Sequence, residues 1–279
     1  MKLAEPFGFF ANIERYFPVR VVILDTPDDV AKFSAQHVVD SIAQVRTQGR
    51  QPVLGLATGG TPLGMYKILV EKYQAGELSF QGIQSFNLDE YIGLPPEHDQ
   101  SYHYYMFEAL FKHIDINIDD THVPKTWNVD PATSGVTYEE LIRRAGGIDL
   151  QVLGVGTDGH IGFNEVGSSL ASRTRVKTLT RQTRLDNARY FASIDEVPVA
   201  AVTMGIGTIL EARSIVLLAT GQGKAKAVAG AVEGAVSAGL PASALQLHQN
   251  ATIVVDQAAA SLLHHKEYYQ DSEKVRLKI

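Results

Sequence analysis

Residues 149–165 read DLQVLGVGTDGHIGFNE. The run from Asp149 to Val155 is almost unbroken in its apolar character, as expected of a parallel strand buried on both faces. Within it begins Gly154-Val155-Gly156-Thr157-Asp158-Gly159, which satisfies G-x-G-x-x-G. In a dinucleotide site that pattern lies between a strand and a closely packed helix, because the pyrophosphate rests on the helix N-terminus. Here the strand is present and the helix is missing. Residues 160–169, HIGFNEVGSS, carry two glycines and no 3.6-residue apolar repeat, so they read as a loop. That loop gathers Asp158, His160 and Glu165 just beyond a strand's carboxyl end, where open α/β sheets keep their active sites. Proton transfer, rather than hydride transfer, is the chemistry this stretch points to.

Working outward, apolar runs of strand length near 20–25, 51–57, 83–88, 199–204, 214–219 and 252–255 alternate with helical patterns. The alternation predicts an α/β fold with one doubly wound, mostly parallel sheet and helices on both faces, Rossmann-like but without a dinucleotide site. Between the first two runs, Thr26-Pro27-Asp28-Asp29 offers an N-cap, a proline at the first helical position and early acids. Val30, Phe33, Val38, Ile42 and Val45 then fall mainly on one stripe. No repeat or linker interrupts the chain, so residues 20–279 are expected to form one domain, with residues 1–19 added to it as an arm.

Composition sets the class. The chain has 279 residues, 45% of them hydrophobic, which suffices for a substantial core. A formal charge of -6 and the absence of a basic run give nucleic acid no general attraction. There is no cysteine, which excludes disulfides, thiolate metal sites and a cysteine nucleophile and fits a cytoplasmic protein. The N-terminus places acids and Pro6 within its apolar patch, unlike a secretory signal, and no apolar run approaches the roughly 18 residues of a membrane span.

Three further segments carry chemistry. In VLGLATGGTPLGMYKILV a buried strand leads into Thr58-Gly59-Gly60-Thr61, and Pro62 opens a helix. Glycines admit a ligand close to the backbone, and unpaired helical N–H groups favour an anion, so a phosphate fits. No G-K-[ST] follows, which argues against ATP or GTP, and a tight turn capped by Thr61 is the competing reading. In SFNLDEYIGL a strand delivers Asp89 and Glu90; strand neighbours point to opposite faces, so one of the two is expected to face the cleft. Positive charge follows in Arg173, Arg175, Lys177, Arg181, Arg184 and Arg189, and in Lys224, which Gly221 and Gly223 place at another strand-to-helix turn. A carboxylate beside His160 can orient its ring and stabilise the imidazolium, as general acid–base work requires. Asp158, His160 and Glu165 could also serve as metal ligands, although D-x-H-x4-E matches no common zinc pattern.

Taken together, LGLATGGTP, FNLDEYIGL with SYHYYMFEALF, GVGTDGHIGFNE with SSLASRTRVKTLT, AVTMGIGTILEA, TGQGKAKA and LQLH resemble the glucosamine-6-phosphate deaminases over about residues 20 to 265. The related 6-phosphogluconolactonases usually carry D-E-R where this chain has Asp89-Glu90-Tyr91, and a different apolar tail after D-G-H. The resemblance implies conversion of glucosamine 6-phosphate and water to fructose 6-phosphate and ammonia, with no metal and no organic cofactor. It gives His160 the ring-opening proton transfer, Asp158 and Glu165 its support, and Asp89 the shuttle from C2 to C1. It puts the phosphate on Thr58, Gly59, Gly60 and Thr61 with Arg189 and Lys224.

Bacterial members of this type form hexamers activated by N-acetylglucosamine 6-phosphate, so a homo-oligomer is also implied. Ser168, Arg175, Lys177 and Tyr268 match residues of the effector site. In those members the chain begins near the equivalent of Val21 and its terminal amino group joins that site. The arm ahead of Val21 is therefore expected to weaken activation or rebuild it. The alternatives are a lactonase-type sugar-phosphate hydrolase and a non-catalytic sugar-phosphate sensor.

Overall fold

A computed structural model describes residues 19–276, so the arm read at 1–19 lies outside the described residues except for Val19. In chain order the elements are β1 (Arg20–Leu24), α1 (Pro27–Thr47), β2 (Val53–Leu56), α2 (Leu63–Gln74), β3 (Gln84–Asn87), β4 (Asp89–Tyr91), α3 (Tyr102–Ala109), β5 (Thr121–His122) and α4 (Pro131–Arg144). There follow β6 (Leu150–Leu153), β7 (Arg175–Thr178), α5 (Arg181–Asn187), β8 (Ala200–Thr203), α6 (Ile206–Leu210), β9 (Ser214–Ala219), α7 (Ala225–Glu233), β10 (Ala251–Asp256) and α8 (Lys266–Arg276).

Seven strands form one parallel sheet in the order β1-β10-β9-β6-β2-β3-β5. The crossovers run outward in opposite directions from β2 and β6, which pair through Leu54 with Leu150 and Gly55 with Gln151. That pair is the topological switch point, where open sheets leave a crevice beyond the carboxyl ends of the strands. The loops holding the two glycine-rich motifs leave from these two neighbouring strands.

The sheet is held by burial on both faces: Leu150, Val152, Ile215, Val216, Ile253 and Val254 are all fully buried. At its opposite end the buried Asp149 accepts Val53 N at 2.9 Å and Arg50 at 2.8 Å, fixing β2 beside β6. Helix α1 begins as the sequence dictates, with Thr26 Oγ1 accepting Asp29 N at 3.1 Å and Pro27 in the first turn. Val30, Ala31, Ala35, Val38, Ile42 and Val45 form its buried stripe, and Phe33 is half-buried at its margin.

One expectation is corrected. The run at 199–204 does not join the parallel sheet; as β8 it pairs antiparallel with β4 and β7 in a second, three-stranded sheet. Its residues from Ala201 to Thr203 are buried, and an apolar run reads the same in either sheet. The chain passes between the sheets at Leu88, whose N–H bonds Leu56 O at 3.1 Å while its carbonyl accepts Met204 N at 2.7 Å. Asp89 thus stands at the junction of the two sheets.

Candidate active site

The first wall of the crevice is the loop after β2. Gly59 adopts φ +103°, and the loop is held from beneath by two phenols: Tyr66 donates to Ala57 O at 2.6 Å and Tyr105 to Gly59 O at 2.7 Å. Tyr102 is paired with the Thr58 side chain. Thr58, Gly59 and Thr61 are half-buried and Gly60 is exposed, immediately ahead of α2. Pro62, not Thr61, occupies the N-cap and makes no side-chain cap bond, so the competing reading of a turn capped by Thr61 fails. The free N–H groups of this helix start favour an anion in front of them.

The second wall is the loop after β6. No helix follows it; instead Gly156 N bonds His160 O at 2.9 Å and Gly159 N bonds Gly156 O at 3.1 Å. The glycines make room for a side chain: a Cβ on Gly156 would lie 2.3 Å from the His160 ring. His160 Nδ1 lies 2.7 Å from Asp158 Oδ1, off the line of an aligned hydrogen bond. The His160 side chain holds the Asp158 carboxyl down at about 2. Glu165 is buried; its Oε1 accepts Thr180 N at 3.1 Å and Thr183 Oγ1 at 2.7 Å, while Oε2 is buried without a hydrogen-bond partner. One donor atom from each of Asp158, His160 and Glu165 lies within 4.8 Å of the others, a spacing that would also suit a metal ion.

Between the walls stands Asp89, with only 5% of its surface exposed. Burial, reinforced by the neighbouring Glu90 charge, raises its carboxyl from 3.8 to about 8, and the Phe163 N–H opposes that rise. Gly162, at φ +55°, lets the loop come close: a Cβ there would lie 3.3 Å from Asp89 Oδ2 and 2.9 Å from Thr203 Oγ1. Glu90 points the other way and accepts the N–H groups of Tyr91, Tyr102 and His103 at 2.8, 3.0 and 2.8 Å. The expected split of the acidic pair across the strand is what the structure contains.

Lys224 lies in the turn after β9. Burial lowers its ammonium pKa; Asp186 and Asp158 oppose that and Arg189 adds to it, which places all four groups within electrostatic reach. Arg189 is exposed, with its guanidinium 4.8 Å from the Tyr190 ring centre. The turn is set by a residue that motif reading missed: buried Asp256 accepts Gly221 N through both oxygens, at 2.9 and 3.1 Å, and Ala259 N at 2.7 Å. A lone acid at the end of β10 gives no local signal of that role. Tyr102, Tyr105 and Tyr190 were missed for the same reason.

The remaining cations divide. Arg173 bonds Glu139 and Glu211, and Arg184 donates to Ile194 O and Val197 O, so these two are structural. Arg175 and Lys177 share the half-buried face of β7, and Arg175 donates to Asn164 Oδ1 at 2.9 Å, beside Glu165. Ser168 is buried with its hydroxyl unpartnered. Tyr268 lies on α8 and helps to line a small cavity with Val19, Arg20, Val21 and Tyr269.

A family model described as glucosamine-6-phosphate isomerases/6-phosphogluconolactonase matches residues 25–254. Glucosamine-6-phosphate deaminases of Shewanella loihica and Colwellia psychrerythraea are each 52% identical, covering 91% and 94% of this chain and 94% and 96% of their own. A solved structure described as a monomeric glucosamine-6-phosphate deaminase superposes with a TM-score of 0.84 at 45% identity, over 88% of this chain and all of that one. The 6-phosphogluconolactonase of Trypanosoma cruzi shares the fold, with a TM-score of 0.74 at 20% identity over 89% of this chain and 98% of its own. The chain belongs to the family of glucosamine-6-phosphate isomerases and 6-phosphogluconolactonases.

Proposed function

We propose that the protein is a glucosamine-6-phosphate deaminase, converting glucosamine 6-phosphate and water to fructose 6-phosphate and ammonia. One observation carries this reading: a buried carboxyl, Asp89, raised to about 8, lies against Gly162 and Phe163 of the same loop that carries the Asp158–His160 pair. A group that takes a proton from carbon and returns it near neutrality is served by a carboxyl of this kind, and hydrolysis of a lactone moves no carbon-bound proton. The deaminases at 52% identity support the same choice between the two activities of the family.

In the proposed sequence His160 moves the proton of the anomeric hydroxyl to the ring oxygen, opening the sugar to the aldehyde. Asp158 stabilises the charged imidazole, and Glu165, anchored by Thr180 and Thr183, fixes the loop around it. Asp89 takes the C2 proton while the C2 ammonium gives up a proton that ends on O1, forming an enolamine, and Asp89 then returns its proton to C1, leaving an iminium at C2. Water adds to that carbon and ammonia departs. Thr58, Gly59, Gly60 and Thr61 with Arg189 and Lys224 hold the phosphate, so binding far from C1 and C2 positions the reacting carbons. Every step uses groups of a single chain and requires no metal or organic cofactor.

Ser168, Arg175 and Lys177 are the residues we assign to an N-acetylglucosamine 6-phosphate effector, supported by the unpartnered buried hydroxyl of Ser168 and the two cations on one strand face. The hexamer implied by the resemblance and the monomer described for the 45%-identical relative give opposite expectations for a measurement of molecular size. The decisive test of function is a paired assay. Ammonia should form from glucosamine 6-phosphate; hydrolysis of 6-phosphogluconolactone without ammonia release would reassign the chain.

A further inference from the structure

Glu90 is absent from the mechanism above, yet it is fully buried and among its described partners there is no cation. A buried carboxylate is costly unless its charge is met. Burial raises the Glu90 carboxyl to about 7, and backbone opposes that rise: Tyr102 N and His103 N are the first two N–H groups of α3, and the positive end of that helix faces the carboxyl. The helix does not depend on Glu90 for its start, because Ser101 already caps it by accepting Tyr104 N at 3.0 Å. A second, anionic cap at the same terminus points to a need for position.

What α3 carries supplies that need. Its first residue, Tyr102, is paired with Thr58, and its fourth, Tyr105, donates to Gly59 O at 2.7 Å. Thr58 and Gly59 belong to the loop assigned to phosphate. At the other end, Glu90 is bonded in sequence to Asp89, whose carboxyl faces the loop at Gly162 and Phe163. A short rigid path therefore runs from the base through one peptide unit, the Glu90 carboxylate and the first turn of α3 to the phosphate loop. In an isomerisation the base must meet C2 while the phosphate is held at C6, so the distance between these two points decides productive binding.

We propose that Glu90 is a positioning residue: by clamping the N-terminus of α3 it fixes the phosphate loop relative to Asp89, so that recognition of the phosphate aligns C2 with the base. The inference rests on the proposed deaminase reading. It is tested by a double-mutant cycle with Glu90→Gln and Tyr105→Phe, which break the two ends of the path without touching the reacting atoms. Each should raise the KM for glucosamine 6-phosphate about tenfold, the scale of a lost charge-assisted hydrogen bond; because the Glu90 charge also helps to hold the Asp89 carboxyl up, kcat is compared at the plateau of each protein's pH profile, where its change should be much smaller. The double variant should lose little more than either single one, because a path broken once is already broken. Neither variant should lose efficiency on unphosphorylated glucosamine.

Additive losses, a loss confined to kcat, or an equal loss on the free sugar would overturn the proposal. If Glu90→Gln does not accumulate as folded protein, Glu90→Asp, which keeps the charge but withdraws it by one methylene, takes its place in the same cycle. If the wild-type chain releases no ammonia, the deaminase reading fails separately. The clamp is then judged from the Kd of inorganic phosphate for the same four proteins: weaker, non-additive binding upholds it, and unchanged or additive binding refutes it.

Discussion

Replacing Asp89 with asparagine should destroy activity and stabilise the fold, and the stabilisation should grow with pH. A carboxyl held at about 8 instead of 3.8 is a charge the native state resists. Between those two values the folded chain binds a proton that the unfolded chain has lost, so the stability of the wild type falls as the pH rises. At about 1.4 kcal/mol per pH unit, the full difference is roughly 6 kcal/mol above pH about 8, an upper bound before the site relaxes around the ion. The carboxamide has no charge to bury and keeps an oxygen for the Phe163 N–H. Denaturant unfolding of both proteins from about pH 5 to about pH 9 measures the gap, which should open with pH and level off above about 8. Turnover should drop by about a hundredfold to ten-thousandfold. A gap independent of pH would mean that Asp89 ionises as an ordinary surface acid, and the argument for its role would fail.

Other consequences follow from single contacts. Lys224→Ala and Arg189→Ala should each cost roughly 1.5–3 kcal/mol of capture of the phosphorylated sugar and much less of the free sugar, read as the ratio of kcat/KM for the two. Gly156→Ala puts a Cβ 2.3 Å from the His160 ring and should abolish ring opening, measured as loss of turnover on the cyclic substrate. Dialysis against a chelator should leave activity unchanged, although Asp158, His160 and Glu165 are spaced to admit a metal; activity restored by a divalent ion would count against a mechanism built on this acid–base set.

The parallel sheet was legible because strands buried on both faces leave long apolar runs: those near 51–57, 149–155, 214–219 and 252–255 became β2, β6, β9 and β10. The second sheet was not, apart from β8. β4 spans three residues, too few for a period to show, as does the two-residue β5 at the edge of the parallel sheet, and β7 alternates two cations with exposed residues, so its sequence reads as charge. The loop of Asp158, His160 and Glu165 could be read because three chemically informative residues lie within eight positions of each other. Tyr105, Asp256 and the clamp of Glu90 could not, because each acts on backbone atoms far away in sequence, 46 residues in the case of Tyr105 and Gly59. The glycines of G-x-G-x-x-G were misleading only in their ligand. They admit a close approach as the pattern implies, but at Gly156 the group that approaches is the His160 ring.

The central claim, that Asp89 carries a proton from C2 to C1 of an amino sugar phosphate, is most directly tested by running the reaction in heavy water. Fructose 6-phosphate should form with one ammonia per sugar. Where the shuttled proton exchanges with solvent before it is returned, a single deuterium should enter C1 at one stereochemical position, and Asp89→Asn should remove the exchange together with turnover. Ammonia release with deuterium scrambled over both C1 positions, or undiminished C2 exchange in Asp89→Asn, would contradict it.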